Sequence, residues 1–451
     1  IVDFIDMQQE EHRRQVLQVL EEEIKKDKTK TNILGITQLG LVEMTRKKVR
    51  PSLSEVLQRP CPYCDGRGKV LLPGFVNAHC HAAMTLLRGY ADDMTLMPWL
   101  EERIWPAESR LTGEDGYWGT LLAAVEMLKA GVTAFADMYF FMDDAAQACV
   151  DAGIRASLSV GLIGGTDGRL APDAEAKLAR GVDFHRRWHG AADGRLTAML
   201  GPHAPYTCPP EFLRLVLEAA AADDIPIHIH LSETAGEVAR CRAEHGCSPV
   251  QLMERIGLFE RPVLAAHCVH VDAADRAILA RMRGGVAHNP ISNLKLASGI
   301  APVAAMVAEG VPVGLGTDGA ASTNALGMFE ELRLAALLQK VTTGDPTVLP
   351  APAVLELATL GGARALCLED RIGSITPGKE ADLVLVDLEH PRLTPRHDVL
   401  SLLAYSGQDG DVDTVLVAGR VVVRDGRVLT VDEERVRAEA AARARRLVGE
   451  A

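Results

Sequence analysis

The sequence predicts an α/β fold, a parallel (β/α)8 barrel. Two observations carry that reading. From Leu71 onward, eight short apolar runs alternate with Ala/Leu-rich helical runs, and residues able to bind a metal fall where several of those runs end. The chain has 451 residues, 47% of them hydrophobic, which suffices for a large barrel with an appendage.

The first 70 residues are written in a different style. They open with a strand-like stretch at 1–7 and pass into a helical stretch at 8–28, where Val16, Leu17, Val19, Leu20 and Ile24 share one face. Short strands follow at 31–36 and 41–44, and then Cys61-Pro-Tyr-Cys64. The barrel strands are expected at 73–79, 131–137, 154–161, 196–202, 225–231, 262–267, 284–288 and 311–317. Helices are expected between them at 112–130, 209–222, 235–255, 271–282 and 300–309. The Met and Leu stripe at 326–340 reads most simply as core. Beyond 372, strands are expected at 381–387, 412–419 and 421–427, and a closing helix at 432–448. The expected domains are thus 1–70, a barrel over 71–371, a partial β-sandwich over 372–430, and a C-terminal helix over 431–451.

The chemistry starts at Asn77-Ala78-His79-Cys80-His81. Alternate strand residues point the same way, so His79 and His81 present two imidazoles together. Alone the pair is weak evidence. Other predicted strand ends add His203, His230 with Glu233 just beyond it, His267, and Asp318. Three histidines and an aspartate leave an open coordination position on a zinc-class ion, the pattern of a catalytic site rather than a closed structural one.

These motifs carry a resemblance. PGFVNAHCHAAMTLLRGYADD, GPHAPYTCP, HIHLSET, AAHCVH, VAHNPISNLKLASGIAPV and GLGTDGAASTN resemble the amidohydrolase superfamily over about 71–430. Within it they look like the 5′-methylthioadenosine/S-adenosylhomocysteine deaminases and their chlorohydrolase-like relatives. The resemblance implies one divalent metal, zinc before iron or manganese, held by His79, His81, His230 and Asp318. It implies catalytic roles for Glu233, His267 and Asp318, and substrate contacts from Glu108, Arg169, His203, Glu233 and Asp318. In that family an arginine follows the third strand where this chain has Val160, which counts against substrates with a carboxylate on the tail. No lysine falls at the end of strand four to bridge two metals, so a mononuclear site is expected. The implied reaction is deamination of a 5′-modified adenosine. Guanine-like bases, pterins and chlorinated triazines are the alternative substrates.

Residues 1–70, with IVDFIDM, DKTKTNILGITQLGLVEMTRKKVR and CPYCDGRG, resemble the end of the catalytic region of the ribonuclease E/G family. There the resemblance implies that Cys61 and Cys64 form half of a zinc link, completed only in a dimer. Asp3 matches one magnesium-binding aspartate whose companion is missing, so nuclease activity is not expected. The start at Ile1 reads as the middle of a larger chain, and 66–70 as a fusion or assembly join. The amidohydrolase sandwich normally draws strands from both chain ends, so 381–387 and 412–424 are expected to lack partners. An exposed sheet, poor stability or aggregation would follow.

Several residues have plainer readings. His228 faces inward but reads as barrel filling or a support behind the ligands rather than a ligand, and His270, His288 and Cys268 as packing or such supports. Glu108 and Arg169 could be ordinary surface charges without the resemblance. The net charge of −13 divides unevenly: 1–70 hold 13 Lys/Arg against 11 Asp/Glu, the remainder 35 against 50. The acidic bulk argues against nucleic-acid binding. No apolar run suits a membrane span, and nine scattered cysteines suit a reducing cytoplasm. The expected partner is a small molecule, and a homo-oligomer stays open. A non-catalytic, RNA-associated fusion protein is the reading from a different class.

Overall fold

Valine- and alanine-rich runs buried on both faces favour parallel pairing, because helices then cover both sides of the sheet. The computed structural model of the chain describes residues 11, 18, 31–36, 42–46, 68–165 and 168–449. It contains two compact units, Ile1–Gly68 and Lys69–Ala451. In the first, β1 (Thr31–Ile36) pairs antiparallel with β2 (Val42–Arg46). The readings at Asp3, Cys61 and Cys64, and nearly all of the helix at 8–28, lie outside the described residues.

The second unit begins with β3 (Lys69–Pro73). Eight parallel strands follow: β4 (Phe75–Cys80), β5 (Val132–Tyr139), β6 (Arg155–Leu162), β7 (Leu196–Pro202), β8 (Ile227–Leu231), β9 (Val263–His267), β10 (Gly284–His288) and β11 (Val313–Leu315). They lie side by side in chain order. Across the seam between first and last, the amides of Thr317 and Asp318 both donate to the His79 carbonyl, at 3.2 and 3.0 Å. Asn77 ties the same seam, accepting from the Thr317 amide at 3.0 Å and donating to its hydroxyl at 2.8 Å. Each of the eight strands falls within a few residues of its expected position. The eighth is shorter than expected. The run at 235–255 is two helices, Ala235–His245 and Pro249–Arg255. Gly246 ends the first at φ 69°, and Ser248 followed by Pro249 starts the second.

The expectation of an unpartnered sheet is corrected. β12 (Leu383–Asp387), β13 (Val412–Val417), β14 (Arg420–Arg424) and β15 (Arg427–Val428) form an antiparallel sheet whose fifth strand is β3. Lys69 faces Asp387 and Pro73 faces Leu383 in an uninterrupted register. The first strand of the appendage therefore comes from Lys-Val-Leu-Leu-Pro, and the unit boundary lies before Lys69 rather than after Val70. Gly74 passes the chain from this sheet into the barrel, where a Cβ would lie 2.1 Å from the Thr133 hydroxyl. Only glycine fits there.

A buried ion cluster joins sheet to barrel. Arg155, 1% exposed, donates to Asp382 at 2.8 and 3.1 Å and also pairs with Glu380. Asp382 is buried too and accepts the Ala418 amide at 2.7 Å. Removing one partner strands the other charge away from water. Arg155→Ala is therefore expected to cost about 3–5 kcal/mol, read as a lower urea midpoint with an unchanged slope.

Candidate metal centre and active-site cavity

His79 and His81 leave the end of β4 toward the barrel axis. Asp318 meets them from beyond β11, its Oδ1 3.5 Å from His79 Nε2 and 3.3 Å from His81 Nε2. His230, on β8, places its Nε2 3.2 Å from that of His81. One nitrogen each from His79, His230 and His267 also lie within 4.8 Å of one another.

The outer hydrogen bonds say which ring nitrogens carry protons. His81 Nδ1 lies 2.5 Å from the Met138 carbonyl, and His230 Nδ1 lies 2.7 Å from the His203 carbonyl. A carbonyl only accepts, so both rings hold their proton on Nδ1 and turn a bare Nε2 inward. His79 Nε2 is buried without a hydrogen-bond partner. Asp318 is fixed by donors to its outer side: Ser292 and Ser322 hydroxyls at 2.6 and 3.1 Å on Oδ2, and the Gly319 amide at 2.8 Å on Oδ1. Burial opposes its charge, but the imidazole of His267, whose own pKa is raised, favours the ionised form, and the carboxyl lies well below the usual range. Burial likewise pushes the His79 imidazole down to about 4, so it stays neutral. Lone pairs and a carboxylate oxygen converging this closely would repel one another with nothing positive among them. The donor set fits a divalent cation of the zinc class.

Beside this cluster stands an acid. Glu233 is buried, with Ser298 Oγ 3.3 Å from its Oε1 and His267 Nε2 3.8 Å from its Oε2. Burial raises its pKa, and the negative Asp318 adds to the rise against the opposing pull of His267. Glu237 holds the turn that carries it, accepting the amides of Ser232 and Glu233 at 3.0 and 2.8 Å. His267 donates from Nδ1 to Asn293 Oδ1 at 2.8 Å, and Glu233 and Asp318 raise its pKa against the cost of burial. Ser232, His267 and Asp318 all sit at positive φ, 51°, 72° and 66°, a conformation that bends the chain off each strand.

An apolar cavity opens over these groups, walled by Trp99, Trp105, Tyr206 and Leu296 among others. Glu108 enters from the side and accepts a 2.6 Å hydrogen bond from the Tyr139 hydroxyl. Burial pushes its carboxyl up to about 7, opposed by that bond. His203 lines the opposite wall, with Nδ1 2.9 Å from Thr207 Oγ1, and burial with its imidazole neighbours pushes its pKa down to about 3. Arg169 is exposed on the loop after β6 and is not among the cavity-lining residues.

Comparison with known proteins fits this geometry. Residues 70–422 match the Amidohydrolase family. The chain belongs to that family. Among its relatives is a 5-methylthioadenosine/S-adenosylhomocysteine deaminase of Desulforudis audaxviator, 61% identical over 85% of this chain and 88% of that protein. One of the same name from Moorella thermoacetica is 54% identical over 83% of this chain and 86% of that protein. An adenosine deaminase from Xanthomonas campestris, solved with bound zinc, superposes at TM-score 0.80 and 40% identity, covering 84% of this chain and 86% of that one. A zinc-complexed atrazine chlorohydrolase from Arthrobacter aurescens gives TM-score 0.78 and 26% identity, covering 84% and 89%. Residues 1–49 match the Ribonuclease E/G family, a shorter stretch than the 70 residues of the resemblance, and Cys61 and Cys64 fall outside it.

The amidohydrolase unit also uses residues that the sequence did not single out for the site. Tyr139 is bonded to Glu108, Ser292 and Ser322 hold Asp318, and Glu237 holds Glu233. A signal existed for Ser292, inside VAHNPISNLKLASGIAPV, and for Ser322, inside GLGTDGAASTN, and none for Tyr139 and Glu237.

Proposed function

We propose that this amidohydrolase is a metal-dependent deaminase of 5′-modified adenosines, of the 5′-methylthioadenosine, S-adenosylhomocysteine or 5′-deoxyadenosine type. The product is the corresponding inosine, with ammonia released. The observation that carries the reading is the buried Glu233, its Oε2 3.8 Å from His267 Nε2, at the rim of the cluster in which Asp318 Oδ1 lies 3.3 and 3.5 Å from His81 and His79. His79, His81, His230 and Asp318 would hold one divalent cation, zinc first. Such a cation supplies a Lewis-acid centre that brings the pKa of water to about 7. Protonated Glu233 gives its proton to purine N1, which makes C6 electrophilic. Asp318 takes one proton from the attacking water and passes it to the departing amine, so the C6–N bond breaks as ammonia leaves. The proton remaining on the new hydroxyl restores Glu233 to its acid form, and N1 keeps its proton in the product. His267 stabilises negative charge developing at the new oxygen. Tyr139-bonded Glu108 and His203 orient the nucleoside.

The substrate's tail has a second cavity to enter. It shares Phe140, Gly161 and Ile163 with the first and is lined by Val160, Lys177, Arg180 and Arg187. Lys177 and Arg187 are paired with Asp173 and Asp143, and Asp183 also lines the cavity. Arg180 is thus the cation that offers a carboxylate what Val160 lacks, which supports acceptance of S-adenosylhomocysteine. The test is ammonia release from zinc-loaded protein with 5′-methylthioadenosine, S-adenosylhomocysteine, adenosine, guanine and a chlorotriazine. Turnover of the 5′-modified adenosines is the expected result, and silence on every adenosine nucleoside rejects the reading. Arg180→Ala is expected to raise KM for S-adenosylhomocysteine and to leave that for methylthioadenosine unchanged. The described cysteines are all unpaired and six of seven are buried, which supports a reducing compartment such as the cytoplasm.

A further inference from the structure

His79 differs from the other inward-facing histidines in how its proton is placed. His81 and His230 give Nδ1 to backbone carbonyls, acceptors that no side-chain substitution removes. His79 Nδ1 instead lies 2.8 Å from Nε2 of a second imidazole, His228, and either ring could be the donor. The ambiguity is resolved one contact further out. Ser159 Oγ donates its only proton to the Asp137 carbonyl at 2.7 Å. Toward His228 Nδ1, 3.1 Å away, the same oxygen can then only accept. His228 is fully buried, and its ring nitrogens meet a hydroxyl and an imidazole, neither of them a carboxylate that would support a charged ring. A neutral ring with its proton on Nδ1 presents a lone pair at Nε2. His79 must therefore donate from Nδ1, which leaves its unpartnered Nε2 bare and facing Asp318.

We propose that Ser159 and His228 are positioning residues that lock the tautomer of His79, so that its inward nitrogen is a metal ligand rather than an N–H. The proposal rests on the reading of His79 as a ligand. It assigns to His228 a role that barrel filling would not need. A leucine fills similar space yet accepts nothing, whereas glutamine offers an oxygen toward His79 and an N–H toward Ser159.

Two measurements test it. Long-range 1H–15N correlation on metal-free wild-type protein, with His79 assigned by its absence in His79→Gln, is expected to show the His79 proton on Nδ1. Zinc affinity by chelator competition is expected to fall about 10–100-fold in His228→Leu, the usual cost of losing such a support. In His228→Gln it should recover to within roughly threefold of wild type. A His79 proton on Nε2 overturns the proposal, as does a folded His228→Leu protein that binds zinc like wild type, or a His228→Gln protein as weak as the leucine variant. If His228→Leu does not fold, the wild-type spectrum decides. Wild-type protein that binds no divalent cation removes the metal reading itself, while the spectrum still reports the tautomer.

Discussion

Asp318→Asn is expected to reduce kcat by at least about 10³-fold and to lower the metal content of the purified protein. Both losses come from one atom. Asn keeps the size of the side chain and an acceptor for the Ser292 and Ser322 hydroxyls. It carries no charge toward His79 and His81, however, and cannot take a proton from water. Loss of a positioned base alone costs about 10²–10⁴ in rate. Weaker metal retention compounds it, because a neutral amide replaces the carboxylate that meets His79 and His81. Metal analysis of the same preparation separates the two contributions: zinc added in excess should restore occupancy without restoring turnover. Full activity in the zinc-loaded variant would remove Asp318 from the proton path.

Glu233→Gln should show the opposite division. The site keeps its three histidines and Asp318, so metal content is expected to match wild type while kcat falls about 10²–10⁴-fold. The pH profile gives a sharper check. Burial raises the pKa of Glu233, and the proposed reaction uses its protonated form. Wild-type kcat should therefore hold on the acid side of that raised pKa and fall as pH rises through it. Glutamine does not titrate, so the residual activity of the variant should lack that alkaline decline. An unchanged alkaline limb would assign the titration to another group. Substrate binding should change little, since Glu108 and His203 stay in place.

The parts of this site that were legible in the sequence share a physical reason. Strand period two aligns His79 with His81, and an apolar run followed by an abrupt polar residue marks the strand ends at His230, His267 and Asp318. What was not legible depends on contacts between distant positions. Glu237 acts through two hydrogen bonds to the amides of Ser232 and Glu233, and an isolated polar residue on a helix has no periodic signature. Ser159 sits within an ordinary strand, and only the neighbouring strands bring it to His228. Arg169 was placed by motif alone, and the structure puts it on an exposed loop. The missed strand β3 has a similar origin. Lys-Val-Leu-Leu-Pro lies across a change in sequence style, and its partner is more than 300 residues away at Leu383–Asp387. The helix break at Gly246 could have been read from Gly, Ser and Pro in close succession, but helical periodicity on both sides masked it.

The seam between β4 and β11 links these observations. It is held by two amides on a single carbonyl and by the side chain of Asn77, and the ligand candidates sit on both of its sides. A cation shared by His79, His81 and Asp318 would act as a rivet across the place where the first and last strands of the cylinder meet. Stripping the ion would then loosen the wall itself, and with it the stretch that carries Asp318.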